Sequence, residues 1–296
     1  ASLEEIASIA KAMRQNCVPL RPQVSSPLMD TCGTGGGLST FNISTATALV
    51  AAAAGIPIAK HGSRSISSLS GSADVLEALG VNINLTPSQA EALIEEIGIA
   101  IYAPLFHPVM CKVLPPETQL GIKTVFYTII GPLINPAFAP RHLLGVYKPE
   151  LLDTVSYVAK ELGYTDAMFV HGLDGLDEIS LLGPTRINRL KDGAITSFEI
   201  TPEQFGLQSC SLQDIKTGTP QENADTIVGV FEGAVHGPRR DAIVLNAAGA
   251  LIVGEKAESF EEGIRLARQL IDSGAARDKL EALKKGSRAY CEEAAR

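Results

Sequence analysis

The stretch DTCGTGGGLSTFNIST, from Asp30 to Thr45, decides the fold, because it joins an apolar segment to a glycine loop and a helix start. Residues 27–29, Pro-Leu-Met, lead into glycines at positions 33 and 35–37, where the absence of a Cβ lets the backbone approach a ligand closely. Asn42 then opens the helix-forming run that continues as ATALVAAAA. Because the first N–H groups of a helix are unpaired and carry partial positive charge, they attract anions. The stretch therefore predicts a strand, a phosphate-binding loop and a helix.

Outward from this loop, apolar strand-like segments and amphipathic helices alternate. We predict a strand before the loop, a helix from Ser44 to Ala54, and strands from Ile56 to Lys60 and from Ile99 to Ala103. Later in the chain the patterns predict a strand at 167–170, an antiparallel segment over 179–200, and helices near 223–232, 242–253 and 260–273. This alternation indicates an α/β fold, with a mostly parallel sheet, helices on both faces and ligands at the carboxyl ends of the strands.

Two helical segments interrupt the alternation. Ser2 and Glu5 form a capping box that predicts a helix over residues 3–15, and prolines punctuate short helical pieces between 107 and 136. We expect a small, discontinuous helical domain made of residues 1–22 and 105–135. The large α/β domain then comprises residues 23–104 and 136–296.

Composition excludes several classes of protein. The chain has 296 residues, 45% of them hydrophobic, and a formal net charge of −8 without a basic stripe, so we expect no nucleic-acid partner. Its five cysteines are scattered and lack CxxC spacing, which argues against a disulfide framework or a structural zinc site. No apolar run reaches membrane-spanning length, and we expect a cytoplasmic protein with no membrane partner.

A second motif, KHGSRSISSLSGSAD, spans residues 60–74. It places Lys60, His61 and Arg64 among serines on a glycine-hinged loop, a combination that suits a polyphosphate. A solvated polar loop would have the same composition. The glycine loop one helix earlier is the reason to favour a binding role.

A third motif, HGLDGLDEIS, spans residues 171–180 and follows the strand predicted at 167–170. Its neighbouring acids Asp177 and Glu178 either face water or offer the hard oxygen ligands that Mg²⁺ prefers. His107 and His171 lack a neighbouring Ser or Cys nucleophile, so we assign them only as residues that line the site.

With these three motifs in this order, the chain resembles the anthranilate phosphoribosyltransferase family, which has a nucleoside phosphorylase-like fold. Further matching segments are GSADVLEALG, LGIKTVFYTIIGPLINP, HLLGVY and GLDEISLLGPT, so the resemblance covers nearly the whole chain. It implies Mg²⁺-dependent transfer of a phosphoribosyl group from phosphoribosyl pyrophosphate (PRPP) to anthranilate in tryptophan biosynthesis, with release of pyrophosphate. It also implies a homodimer, and several helices ahead of the glycine loop where this sequence begins with one.

The resemblance assigns site residues by position and places none in covalent or acid–base catalysis. The implied PRPP site comprises Gly33, Gly36, Thr40, Asn42, Ser44, Thr45, Lys60, Ser68 and Ser72, to which the second motif adds Arg64. The implied metal site comprises Ser44, Asp177 and Glu178. The implied acceptor site comprises Gly33, Ser63, His107 and Glu117.

Three positions depart from the family's pattern. The glycine loop lacks the Asp of GTGGD and is one residue shorter, and Ser63 replaces an Asn that normally helps to hold anthranilate. Glu117 stands where the family has an Arg that pairs with the carboxylate of anthranilate. Two carboxylates ~4 Å apart would repel by roughly 4 kcal/mol at an effective dielectric constant of about 20. Glu117 must therefore turn away, be protonated or face a different acceptor.

Three alternatives stay open. A phosphoribosyltransferase of the same fold could use another aromatic acceptor. A pyrimidine nucleoside phosphorylase would share the architecture but use inorganic phosphate. A non-catalytic relative would bind nucleic acid, although the acidic balance and the Asp177–Glu178 pair count against it.

Overall fold

The centre of the molecule is a seven-stranded sheet. In this computed structural model, which describes residues 2–62, 70–102, 106–122 and 124–294, the strands are β1 (Met29–Asp30), β2 (Ile58–His61), β3 (Ile99–Tyr102), β4 (Arg141–Gly145), β5 (Asp166–Gly172), β6 (Thr185–Lys191) and β7 (Ala194–Ile200). Their order in the sheet is β3-β2-β1-β4-β5-β6-β7. The first five strands run parallel, and β6 and β7 add an antiparallel hairpin. The predicted α/β class with a mostly parallel sheet is confirmed.

Helices cover both faces of this sheet. They are α1 (Leu3–Gln15), α2 (Ile43–Ala53), α3 (Ser72–Ala78), α4 (Pro87–Ile97), α5 (Met110–Leu120), a π-helical turn (Phe126–Ile130), α6 (Gly131–Leu133), α7 (Leu152–Glu161), α8 (Leu212–Ile215), α9 (Pro220–Phe231), α10 (Pro238–Val253), α11 (Phe260–Asp272) and α12 (Ala275–Ala294). Along β5, Met168 and Val170 join one apolar core with α2 and α10, whereas Phe169 joins a second core with α1 and α7. This alternation is the period of a strand that is buried on both faces.

Capping explains where most helices begin. Ser2 and Thr86 form the capping boxes that the sequence predicts for α1 and α4. Two helices begin earlier than predicted, because α9 has Thr219 as its N-cap with a proline in the first position, and α10 also starts at a proline. The predicted boundaries near 223 and 242 are therefore wrong by about one turn. The strand predicted from Ile56 begins at Ile58, and Ala103 lies outside the described residues.

Helix α1 lies against α7 and the π-helical turn. Ile6, Ala10 and Met13 on its buried face share an apolar core with Ile130 and Val155. The helical segments therefore pack directly on one face of the sheet, and their description as a separate small domain stays a prediction.

The carboxyl ends of β1, β2, β4 and β5 meet at one edge of the sheet, because these strands are parallel neighbours. The glycine loop follows β1, the second motif follows β2, and the third motif follows β5. The fold therefore brings all three motifs to the same edge, as a parallel sheet requires. Among the described helices, none is both long and apolar enough to cross a bilayer.

Candidate active site

A cleft of about 490 Å³ opens at this edge of the sheet. Most of the predicted site residues line it, namely Gly33, Gly36, Thr40, Asn42, Ser44, Lys60, Ser72, His107, Asp177 and Glu178. The predicted residues Ser63, Arg64 and Ser68 lie outside the described part of the chain. The three motifs thus share one cavity.

The glycine loop folds against the acidic loop that follows β5. Gly35 and Gly36 have φ values of 61° and 101°, a region of backbone conformation that favours glycine. A Cβ added at Gly37 would lie 2.6 Å from Oδ1 of Asp177 and 2.9 Å from the carbonyl oxygen of Gly175. Gly37 therefore allows the glycine loop and the acidic loop to touch.

The start of α2 faces the cleft. Asn42 precedes the helix, but its side-chain oxygen accepts hydrogen bonds from the Ser70 hydroxyl (3.2 Å) and the Asn223 amide (3.0 Å) rather than capping the helix. Since helices leave their first N–H groups without an intrahelical acceptor, this end of α2 offers donors to an anion.

Lys60 places a cation beside that helix start. It is 1% exposed, and its Nζ donates to the carbonyl oxygen of Thr31 (3.1 Å) and to Oγ of Ser44 (3.4 Å). An ammonium group has three N–H donors, and these contacts use two of them. A buried ammonium that faces a cleft is suited to an anionic ligand.

Asp177 and Glu178 add two carboxylates to the lining of the same cleft as Lys60. Burial, and then the neighbouring charge of Asp177, raise the pKa of Glu178 to about 8, while Lys60 and the backbone N–H of Ser44 act in the opposite direction. The negative charge of the pair is therefore incompletely balanced by the protein. Together with the Ser44 hydroxyl, the pair offers the set of hard oxygen ligands that suits a divalent cation such as Mg²⁺. We refer to the glycine loop, Lys60 and this pair as the polar end of the cleft.

The other end of the cleft, the apolar end, is lined by His61, His107, Met110, Leu114 and Pro132. His107 is 2% exposed, its ring donates to the backbone carbonyl of Ile134, and its Nε2 has no partner among the described residues. Burial, and then the proximity of His61, lower the pKa of His107 to about 3. His107 is therefore neutral near pH 7 and presents a lone pair within apolar walls.

Three sequence assignments need correction. The Thr45 side chain is completely buried and does not line the cleft, because α2 is enclosed by the core on this side. Glu117 is also buried away from the cleft, and its carboxylate accepts hydrogen bonds from the backbone N–H (3.0 Å) and the hydroxyl of Thr124. His171 does not line the cleft either, since its ring bonds to the carbonyl oxygen of Val146 (2.7 Å). Of the three alternatives for Glu117, the structure supports turning away.

A buried polar network that the sequence motifs do not predict lies beneath the glycine loop. Asp30 is completely buried, and its carboxylate accepts from the backbone N–H of Thr31 (2.7 Å), the Asn135 amide (2.7 Å) and Nδ1 of His61 (3.0 Å). Burial raises the pKa of Asp30, but His142, His61 and Lys60 together outweigh it and hold the pKa well below its usual range. Asp30 is therefore ionised. The available signal was the position of Asp30 and His61 at the carboxyl ends of adjacent strands.

This fold and cleft are those of a glycosyl transferase, and the description of the family model that matches residues 25–277 is "Glycosyl transferase family, a/b domain". Anthranilate phosphoribosyltransferase from Acetivibrio thermocellus is 49% identical over 282 residues, which cover 95% of this chain and 81% of that protein. The chain therefore belongs to the anthranilate phosphoribosyltransferase family, as its motifs indicate, and is a phosphoribosyltransferase.

Solved structures of the family have the same fold. The anthranilate phosphoribosyltransferase of Thermus thermophilus is 40% identical, with a TM-score of 0.89 over 97% of this chain and 85% of its own. The enzyme from Saccharomyces cerevisiae in complex with PRPP and Mg is 30% identical, with a TM-score of 0.88 over 97% of this chain and 81% of its own. The similarity in fold therefore extends over nearly the whole chain.

Proposed function

We propose that this protein transfers the phosphoribosyl group of PRPP to anthranilate and releases pyrophosphate, as a Mg²⁺-dependent step of tryptophan biosynthesis. The observation on which the proposal rests is that the glycine loop, Lys60 and the Asp177–Glu178 pair line a single cleft. The names of the family's curated members and the PRPP complex of the yeast relative support it.

The polar end would bind the donor. Backbone N–H groups of the glycine loop and of the α2 start would hold phosphate oxygens, together with the side chains of Lys60 and Ser72. Asp177, Glu178 and Ser44 would hold Mg²⁺, which when bound neutralises charge on the leaving pyrophosphate. Thr40 and Asn42 would shape the same wall, and Arg64 and Ser68 stay predictions from the sequence.

The apolar end would bind the acceptor ring. Met110, Leu114 and Pro132 supply apolar walls next to Gly33 and His107. Glu117 is turned away, so the repulsion expected between its carboxylate and that of anthranilate does not arise. Among the described residues lining the cleft, the only Lys or Arg is Lys60, at the opposite end. This observation favours a second candidate, transfer to an aromatic amine without a carboxylate.

Acceptor consumption tests the proposal. The protein is incubated with PRPP and Mg²⁺ and with anthranilate, aniline or no acceptor, and loss of the acceptor and release of pyrophosphate are followed together. We expect anthranilate to be consumed in step with pyrophosphate release. Consumption of aniline but not anthranilate would support the second candidate. If neither amine is consumed while uridine or thymidine is cleaved with inorganic phosphate, the protein is a nucleoside phosphorylase instead.

Two further features stay predictions. One is the homodimer. The other is the division of the chain into a helical domain, residues 1–22 and 105–135, and an α/β domain, residues 23–104 and 136–296. Gel filtration with light scattering tests the first. A mass near twice 31.2 kDa is the expected result, and a mass near 31.2 kDa would contradict it.

A further inference from the structure

A carboxylate–histidine pair lies under the apolar end of the cleft. Oδ2 of Asp30 is 3.0 Å from Nδ1 of His61, and the Asp30 side chain is completely buried. The His61 side chain retains 12% exposure and lines the cleft. Because Asp30 occupies the Nδ1 edge of the ring, the opposite edge, with Nε2, is the one left to face the cavity. A carboxylate partner at Nδ1 fixes the proton on that nitrogen and leaves the Nε2 lone pair available.

Strand geometry separates His61 from the donor-binding groups. Successive side chains of a strand point to opposite faces of the sheet. Lys60 therefore extends to α2 and Ser44, whereas His61 extends to the face that carries Asp30 and Tyr102. The end of β2 thus presents a cation to one part of the cleft and an imidazole to the other.

The two histidines of the apolar end are neighbours. The ring centroids of His61 and His107 are 6.0 Å apart, and each ring contributes to the wall of the cleft. They differ in the group that accepts a hydrogen bond from the ring. This group is the Asp30 carboxylate for His61 and the neutral Ile134 carbonyl for His107. An ionised partner stabilises the imidazolium that forms when a histidine accepts a proton, and a carbonyl in a dry pocket does so far less.

We propose that His61, oriented by Asp30, is the base that removes a proton from the amino group of the acceptor during phosphoribosyl transfer. This inference rests on the proposed function. The acceptor nitrogen forms its bond to C1 of the ribose as the bond from C1 to the pyrophosphate oxygen breaks. Pyrophosphate leaves with the electron pair of that bond, and one N–H proton of the amine passes to Nε2 of His61 and then to solvent. His107 accepts a hydrogen bond from the second N–H and orients the amine.

The same residues do not form a convincing metal site. Asp30, Cys32 and His61 place potential ligand atoms within 4.8 Å of one another. Both oxygens of Asp30 are already engaged by N–H donors, from Thr31 and Cys32 on one oxygen and from Asn135 and His61 on the other. A carboxylate saturated by donors is arranged to orient the histidine and not to hold a cation.

Several titratable groups face His61 from the elements packed around it. They are Asp30 at the end of β1, Cys32 after it, Lys60 on β2, Tyr102 on β3, His107 before α5 and His142 on β4. Asp30 is the anion in direct contact with the ring. Since the other charged group, Lys60, points to the opposite face of the sheet, Asp30 determines the local field at Nδ1.

His61→Asn tests the proposal, because Asn keeps an N–H donor for Asp30 but has no basic atom in the place of Nε2. We expect kcat/KM for the acceptor to fall by about 100-fold or more. We expect kcat/KM of the wild type to rise with pH, and this rise should disappear in the variant. Binding of PRPP with Mg²⁺, measured by calorimetry, should be unchanged. His171→Asn is the matched control, since His171 is a buried histidine outside the cleft, and it should keep the wild-type pH profile.

A second variant separates proton transfer from a structural role. His61→Gly leaves room for imidazole, and added imidazole should restore part of the lost activity in a pH-dependent way. A reduced rate with an unchanged pH profile and no imidazole rescue would overturn the proposal, because His61 would then act only in packing. If His61→Asn does not fold, the wild type still decides the question, since a flat kcat/KM profile between pH 5 and 8 would exclude a histidine base.

The activities of the wild type and of the His61→Asn variant, taken together, distinguish this inference from the proposed function. Wild-type protein that consumes neither anthranilate nor another aromatic amine in the presence of PRPP and Mg²⁺ contradicts both. Wild-type protein that is active, with a His61→Asn variant of equal activity, contradicts only the assignment of the base.

Discussion

The two ends of the cleft differ in the charge of the groups that line them. At the polar end, Lys60, helix N–H groups and the Asp177–Glu178 pair surround the space with fixed charge and hard ligands. At the apolar end, His107 is neutral and Met110 and Leu114 supply the walls. The difference matches the reaction we propose, because a pyrophosphate leaves with negative charge, whereas an aromatic amine needs orientation and loss of a proton. Substitutions at the polar end should therefore weaken binding of the donor and the metal, whereas those at the apolar end should affect the acceptor.

The largest effect should follow from Asp177→Asn with Glu178→Gln. Because these side chains are the proposed metal ligands, we expect turnover at limiting Mg²⁺ to fall by more than about 100-fold, while the circular dichroism spectrum is retained. The control is the exposed pair Asp278→Asn with Glu281→Gln on α12. Unchanged activity of the first double variant at limiting Mg²⁺ would remove the metal assignment.

Among substitutions at the polar end, Lys60→Met should have the next largest effect. Methionine fills the buried space of the side chain without its charge, and a hydrogen bond to a charged group contributes about 1.5–3 kcal/mol. The dissociation constant for PRPP, measured by calorimetry with Mg²⁺, should rise by roughly 10- to 100-fold. Lys256→Met, at an exposed lysine far along the chain, serves as the control. Equal affinity in the Lys60 variant would mean that the donor binds elsewhere.

The pH dependence of the melting temperature and of the Mg²⁺ requirement tests the protonation of the polar end. The pKa of Glu178 is raised to about 8 in the folded protein, so the folded state holds a proton that the unfolded chain releases above its ordinary value of 4.5. Without Mg²⁺, the melting temperature should therefore fall as pH rises through this window, and Glu178→Gln should flatten the dependence. Since a cation must displace the proton, the Mg²⁺ concentration for half-maximal activity should rise as pH falls below about 8. An increase of the melting temperature with pH would show that Glu178 is ionised without the metal.

The smallest effect is expected for Glu117→Gln. The side chain bonds to Thr124 and not to the cleft, so KM for the acceptor should change by less than about twofold, because lost contacts outside a binding site leave binding energy unaffected. Removing the charge from a buried hydrogen bond should lower the free energy of unfolding by about 1 kcal/mol. A large change in acceptor KM would place Glu117 at the apolar end after all.

The polar end was largely predictable from sequence, because its parts are local. A glycine loop before a helix, a lysine at the end of a strand and two adjacent acids each appear within a few consecutive residues. Parallel strands then bring their carboxyl ends together without further information. The alternation of strand and helix patterns likewise predicts the mostly parallel sheet.

The apolar end was less predictable, since its contacts join distant segments. Asp30 meets His61 and Asn135, which lie 31 and 105 residues away. No local pattern marks that network. Thr45 follows Ser44 directly but turns into the core, because a helix enclosed by neighbours buries residues that a motif alone would place in the site. Glu117 turns to Thr124, because the path of the chain after α5 places Thr124 beside its carboxylate.

A crystal structure with PRPP and Mg²⁺ tests the central claim most directly. The account predicts that the pyrophosphate lies between the glycine loop, Nζ of Lys60 and a metal ion held by Asp177 and Glu178. Pyrophosphate bound away from this cleft, or a metal ion that touches neither carboxylate, would contradict it.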